Sequence, residues 1–198
     1  MCGRYTVHTE GELIEIREIL EMLSMRIYEN SFEKNAKAGE MYPSDRTPVL
    51  LVRNDEVSLE SVRWGFKKWD NKGVIINARS ETAGEKGIFK ELVSQKRCIV
   101  PATGFFEWKH QGEKKSNDKY FIRRTDGEML YMGGLYRQGD SDLEFVILTK
   151  DADSNVGRIH NRMPLIMNQK QISGWFKGSL TIEELISEQF NLILEKVA

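Results

Sequence analysis

Two cysteines and three histidines in 198 residues leave little for a disulfide frame or a metal centre. Cys2 and Cys98 are too few and too far apart for a stapled scaffold. His8, His110 and His160 show no Cys-x-x-Cys or His-x-x-x-His spacing, so no metal is expected. No apolar run approaches the ~20 residues that cross a bilayer. The start, Met1-Cys2-Gly3-Arg4-Tyr5, lacks the apolar core of a secretory signal, which points to a soluble cytoplasmic protein. Gly133-Gly134 lacks the following helix and Lys of a phosphate loop, and neither Ser61 nor Ser173 sits in a Gly-x-Ser-x-Gly elbow. ATP-dependent and α/β-hydrolase chemistries are therefore excluded. Low-complexity linkers and internal repeats are also missing.

What is present describes an ordinary globular chain. Apolar residues make up 40% and charged residues 30%, with four Trp, six Tyr and nine Phe. A chain of this length buries roughly 70% of its unfolded surface, so residues 1–198 are expected to form one domain without staples. The formal charge of −1 hides an asymmetry. Ser61 to Arg124 holds 15 basic and seven acidic residues, a balance of +8 against −9 for the remainder. A basic middle suits phosphate, but Lys67-Lys68, Lys114-Lys115 and Arg123-Arg124 equally suit solvated loops and strand ends. Charge alone favours the solvated reading.

Thr9-Glu10-Gly11-Glu12 has the form of a capping box and precedes Leu13, Ile16, Ile19, Leu20 and Leu23, which predicts a helix from Glu10 to Met25. Residues before it read as a short strand. Pro48–Arg53 and Val57–Trp64, joined through Asn54-Asp55, read as a hairpin. Val74–Ile76 reads as a short buried strand and Ile88–Val93 as a short helix. Cys98–Val100, Phe105–Lys109, Tyr120–Arg123, Met129–Leu135 and Phe145–Thr149 read as strands, with turns at Gln111-Gly112 and Asp126-Gly127. A helix is expected from Thr181 to Phe190 with Leu185 and Ile186 inward. Short turns favour antiparallel pairing. The expected class is α+β, a curved, mainly antiparallel, barrel-like sheet flanked by helices.

Cys2 carries the most unusual chemistry. Methionine aminopeptidase accepts small second residues, and removal of Met1 would leave a free α-amine beside the thiol. Such an amine has a pKa of about 7.7–8, so a useful fraction is unprotonated at neutral pH. A 1,2-aminothiol condenses with an aldehyde to an imine and then closes to a thiazolidine. Alternatively the thiol or amine acts as an N-terminal nucleophile on a carbonyl. Taken alone, Cys2 is more often an inert terminal thiol.

Four further segments change that weighting: Arg63-Trp64-Gly65-Phe66 with Trp69 close behind, Asn77-Ala78-Arg79-Ser80-Glu81-Thr82, Arg97-Cys98-Ile99-Val100-Pro101-Ala102 leading into Gly104-Phe105-Phe106-Glu107-Trp108, and His160-Asn161-Arg162-Met163-Pro164. With the amino-terminal segment and in this order, they closely resemble the SOS-response-associated peptidase (SRAP) family across residues 2 to 164. The resemblance implies a sensor of abasic sites in single-stranded DNA. Mature Cys2 would form a thiazolidine with the C1′ aldehyde of the open sugar, shielding the lesion during the DNA damage response. Associated lyase activity and a thiol autopeptidase that removes Met1 belong to the same picture. No cofactor is implied.

The catalytic set is then Cys2, Asn77, Glu107 and His160. Asn77 matches an Asn of the family pattern and would fix the Cys2 amine or backbone. Glu107, between Phe106 and Trp108, is expected in an apolar setting that raises its pKa for proton transfer; the alternative is a solvent-facing strand residue. His160 would relay a proton or hold the 3′ phosphate. The family commonly carries Asp after this His, where Asn161 stands here, which weakens the case for its basicity. Arg4, Arg79, Arg158 and Arg162 are the expected DNA phosphate contacts, with Thr149 a further one. Trp69 would stack on a base or wedge beside the lesion, or else be a half-buried core residue. Cys98, beside Ile99 and Val100, is expected to be an inert core thiol.

Two other classes stand beside this one: an N-terminal-nucleophile peptidase acting on peptides, and a non-covalent single-strand binder with an incidental Cys2. The expected partners are single-stranded DNA with abasic sites and the replication machinery. The chain is expected to be a monomer, nucleoid-associated if bacterial.

Overall fold

The computed structural model describes residues 2–7, 39–53, 56–70, 72–111 and 114–197, with backbone alone for 110–111 and 114–117. The helix expected over Glu10–Met25 lies outside the described residues.

Strand β1 (Arg4–Val7) is followed by β2 (Gly39–Met41) and by the hairpin strands β3 (Arg46–Arg53) and β4 (Glu56–Trp64). The hairpin follows from two β-rich runs, and its register extends from Arg46 opposite Arg63 to Arg53 opposite Glu56. Next come β5 (Phe66–Lys67), β6 (Val74–Ile75), β7 (Asn77–Arg79), and helices α1 (Ser80–Ala83) and α2 (Gly87–Gln95). Gly65, between β4 and β5, has φ +116, and a Cβ there would lie 2.8 Å from Val74 Cβ, so a side chain is excluded twice over. The chain continues through β8 (Arg97–Ala102), β9 (Gly104–Gln111), β10 (Lys114–Arg124), β11 (Leu130–Gln138) and β12 (Leu143–Asp151). It ends with β13 (Arg162–Pro164), β14 (Ile166–Met167), α3 (Ile172–Lys177), α4 (Ile182–Ser187) and β15 (Leu192–Lys196).

A five-stranded sheet has the order β15-β10-β9-β1-β2. A larger, strongly curved sheet runs β13-β12-β4-β3-β8-β11-β14, and it bends until β11 also pairs with β12. Strand β12 runs parallel to β4 and β7; the other pairings among the described residues are antiparallel. The curved, mainly antiparallel sheet flanked by helices is thus as expected.

Alternation along β12 divides the core. Phe145 and Ile147 join one apolar cluster, with Cys2, Tyr5, Trp64, Phe105 and Ile122, between the two sheets. Val146 and Leu148 join the other, where Ala83, Phe89, Trp175 and Leu185 of the helices cover the opposite face. Each fully buried large side chain contributes roughly 1.5–3 kcal/mol.

Several elements differ from expectation. Strand β6 is half-buried, because it forms only a two-residue pairing with β5 outside the large sheet. Helix α4 starts at the Thr181–Glu184 capping box but stops at Ser187, where Glu188 turns extended. Leu185 is buried and Ile186 only half-buried. The Asp126-Gly127 turn is present, with Gly127 at φ +81.

Candidate functional site

The amino-terminal segment is anchored from both sides. Tyr5 packs edge-on against Trp64 with ring centroids 4.9 Å apart, and both side chains are wholly buried. Trp64 stacks on Phe145 in turn and donates its indole N–H to the Ile76 carbonyl at 3.1 Å. An aromatic pair of this kind adds about 0.5–1.5 kcal/mol beyond its buried area. Holding Tyr5 fixes Cys2 three residues earlier.

Cys2 is wholly buried, its thiol donating to the Arg4 carbonyl at 3.7 Å. Asn77, at the start of β7, donates Nδ2 to the Cys2 carbonyl at 2.9 Å, and its Oδ1 is buried without a hydrogen-bond partner among the described residues. Glu107 is 3% exposed. Its position corrects the reason for expecting an apolar setting. Phe106 and Trp108 point to the outer face of β9, whereas Glu107 shares the inner face with buried Phe105. The alternative of a solvent-facing carboxyl is overturned. Burial pushes the Glu107 carboxyl up to about 7, only partly offset by the chain's amino terminus and the Trp108 backbone. Burial and the nearby Glu107 charge together push the Cys2 thiol well above its ordinary value. The thiol is therefore protonated at neutral pH.

A second group lies along the same parallel pair. Asn77 stands opposite Ile147 and Arg79 opposite Thr149, so β7 joins the Cys2 site to the end of β12. Arg79 is exposed and shares its strand face with Asn77, while Ala78 packs into the helical side of the core. Thr149 is wholly buried and donates its hydroxyl to the Ala78 carbonyl at 3.4 Å. Arg162 is 6% exposed. It grips Glu81 through two hydrogen bonds, at 2.8 and 2.9 Å, and also bonds Asp151 and the Thr149 carbonyl. Both Thr149 and Arg162 thus have interior places as struts rather than exposed ones. His160 Nδ1 lies 3.0 Å from the Arg162 backbone N and 3.3 Å from the Arg162 carbonyl oxygen, so the ring is held against the Arg162 backbone.

The remaining candidates are dispersed. Arg158 is exposed on the short turn Val156–Arg158. Trp69 is 95% exposed beside Lys67 and Lys68, so its alternative as a half-buried core residue fails. Arg4 lies on the outer face of β1, paired with Glu40 and stacked 4.1 Å from the Tyr42 ring centroid. Glu40, Tyr42, Lys119, Glu81 and Asp151 were not foreseen. Only Glu81 falls within a recognisable segment, and the others become neighbours through strand pairing. Cys98 is buried, and both cysteines are free thiols. Among the described residues no group of three or more His, Cys, Asp or Glu is placed to hold a metal, and no helix is long and apolar enough to cross a membrane.

Comparison with known proteins adds independent observations. The family model described as SOS response associated peptidase (SRAP) matches residues 1–195. An abasic site processing protein of Escherichia coli (strain K12), YedK, is 32% identical over 191 residues, covering 93% of this chain and 83% of that protein. Another abasic site processing protein, YoqW of Bacillus subtilis (strain 168), is 29% identical over 192 residues, covering 91% and 82%. A crystal structure of a protein from Bacteroides thetaiotaomicron superposes with a TM-score of 0.79 at 23% identity, covering 100% of this chain and 92% of that one.

Proposed function

Since the chain belongs to the SOS response associated peptidase family, we propose that it processes abasic sites in single-stranded DNA, capturing the lesion covalently through Cys2 after Met1 is removed. The observation that carries this proposal is the seating of Cys2: wholly buried, held through its carbonyl by Asn77, and beside a carboxyl whose pKa is about 7. The names of the YedK and YoqW relatives support the substrate class.

Hydrolysis of the Met1–Cys2 peptide bond frees the Cys2 α-amine. The thiol is neutral in its buried position, so the amine is the first nucleophile. It adds to the C1′ aldehyde of the ring-opened sugar, and loss of water leaves an imine. The S–H then adds across the C=N bond, sulfur bonding to C1′ while the proton passes to nitrogen. One C–N and one C–S bond form and one water is released. Glu107, half protonated near neutral pH, gives a proton to the departing hydroxyl, regains one from the nitrogen as the imine forms, and then relays the thiol proton to nitrogen. Asn77 Oδ1 is free to accept from the new amine, so the carboxamide would hold Cys2 at both ends. His160, its ring held against the Arg162 backbone, relays a proton at the sugar or holds its 3′ phosphate. Arg4, Arg79 and Arg158 supply phosphate contacts, Trp69 a stacking surface, and Arg162 with Thr149 braces the wall behind Arg79.

The test is a denaturing gel of the tag-free protein with a single-stranded oligonucleotide carrying one abasic site. Mass spectrometry of the amino terminus establishes that Met1 is gone. A shifted band is expected that requires both the lesion and Cys2. A processed protein that forms no such band overturns the proposal, and turnover of peptides without DNA would point to peptidase chemistry instead.

A further inference from the structure

On the outer face of the five-stranded sheet one carboxylate holds two cations. Glu40 Oε1 accepts from Arg4 Nη1 at 3.0 Å, while Lys119 Nζ donates to its Oε1 and Oε2 at 2.9 and 3.0 Å. Strand register explains the convergence. Thr6 faces Glu40 across β1–β2, Arg4 faces Phe106 across β1–β9, and Lys119 faces Trp108 across β9–β10. These side chains therefore share one face, opposite the buried Tyr5, Met41 and Phe105. Aromatic rings wall the cations: Lys119 Nζ lies 3.9 Å from the Phe106 centroid, and Arg4 Cζ lies 5.3 Å from that of Trp108. The network is at the surface, with side-chain exposures of 34% for Arg4, 26% for Glu40 and 18% for Lys119.

Two cations converging on two oxygens beside aromatic rings make a subsite that fits one phosphate and its neighbouring base. Here the chain's own carboxylate fills it. We propose that Glu40 is an internal competitor for the nucleic-acid backbone, occupying the Arg4–Lys119 subsite until a phosphate displaces it. The inference rests on the single-stranded DNA function proposed above and adds to it a residue that limits affinity. Cys2 contacts the backbone of Arg4, so release of the Arg4 side chain takes place two residues from the nucleophile. Strand bound without displacing Glu40 is held weakly, which favours strand anchored elsewhere in the site.

The test is Glu40→Gln, which keeps the size and removes the charge. Binding to a single-stranded oligonucleotide carrying a tetrahydrofuran abasic analogue is followed by fluorescence anisotropy across a salt series. Glu195→Gln, at an exposed carboxylate paired with Arg123, serves as the charge-matched control. The expected result is about 5- to 10-fold tighter binding for Glu40→Gln at low salt. Its log Kd against log salt should steepen by about 0.7 for each phosphate gained. Adding Arg4→Ala and Lys119→Ala should abolish the gain. Glu40→Thr, suited to an edge strand, replaces Glu40→Gln if the latter melts early. Unchanged affinity and slope, or an equal gain from Glu195→Gln, overturns the inference. Crosslinking of a true abasic site by the wild type is scored in parallel. A Cys2-dependent crosslink with an unchanged Glu40→Gln refutes only the role of Glu40, whereas no crosslink and no binding by either protein refutes both proposals.

Discussion

Glu107 makes the sharpest energetic prediction. Its carboxyl is raised from 4.5 to about 7 in the folded protein, chiefly by burial. A rise of this size corresponds to about 3 kcal/mol of differential stability. The sign follows from proton counting. The folded state binds its proton more tightly than the unfolded state, so it holds more protons between pH 4.5 and about 7, and stability falls as pH rises through that window. The favourable contribution is complete below 4.5 and lost above about 7. Glu107→Gln stays neutral throughout and should show none of this dependence. Urea unfolding of both proteins across the range gives the difference in stability, wild type minus variant. That difference should shrink by about 3 kcal/mol with rising pH. A difference flat to within about 0.5 kcal/mol would mean that Glu107 is solvated, and its assignment as a proton carrier would fall with it. The crosslinking rate should follow a bell in pH, its alkaline limb set by Glu107 and its acid limb by protonation of the Cys2 amine.

Three further outcomes are expected. Asn77→Ala should slow crosslinking about 100-fold in single-turnover gels while lowering stability by only about 1 kcal/mol in urea melts, because it frees the Cys2 carbonyl but removes little packing. Trp69→Ala should leave the melting temperature unchanged, since the side chain is 95% exposed, and weaken binding to undamaged single-stranded DNA by about 1–3 kcal/mol in anisotropy titrations. Arg97 donates to the carbonyls of Val93, Trp175 and Leu180, tying α2 to α3 and the segment after it, so Arg97→Ala should cost about 2–4 kcal/mol by calorimetry and Arg97→Lys should recover only part.

The parts of the fold legible in sequence are those governed by local pattern. The β3–β4 hairpin has two β-rich runs around polar residues, and α4 has Thr181 and Glu184 at capping-box spacing. Helix α3 could have been read in the same way, since Asn168 and Gln171 form a capping box just before it and Gly178 ends it at φ +71. Strand β7 offered no such signal. Three residues pair in parallel with β12, some 70 positions away, and only that long-range pairing makes Asn77-Ala78-Arg79 a strand. Strand β15 is a short apolar run that becomes a strand by pairing with β10.

The same distinction explains the site. A covalent peculiarity such as an amino-terminal thiol is visible in sequence, whereas the facing of a side chain depends on which sheet surface is covered. Strand β9 shows this most clearly, because it is apolar on both faces: Phe105 inward, Phe106 and Trp108 outward. Alternation alone therefore cannot tell whether Glu107 meets water or core. The outer aromatics stand beside Arg4 and Lys119, so an outward surface that resembles core in sequence is a cation-bearing face in the fold. Arg162 shows the opposite case. An arginine beside His160 in sequence lies inside the fold, where it pairs with Glu81, 81 residues earlier. One rearrangement of neighbours buries the carboxyl expected to do chemistry and makes an internal brace of an arginine expected at the surface. Of the arginines expected to meet DNA, Arg79 and Arg158 are exposed, whereas Arg4 is half-buried and already paired with a carboxylate.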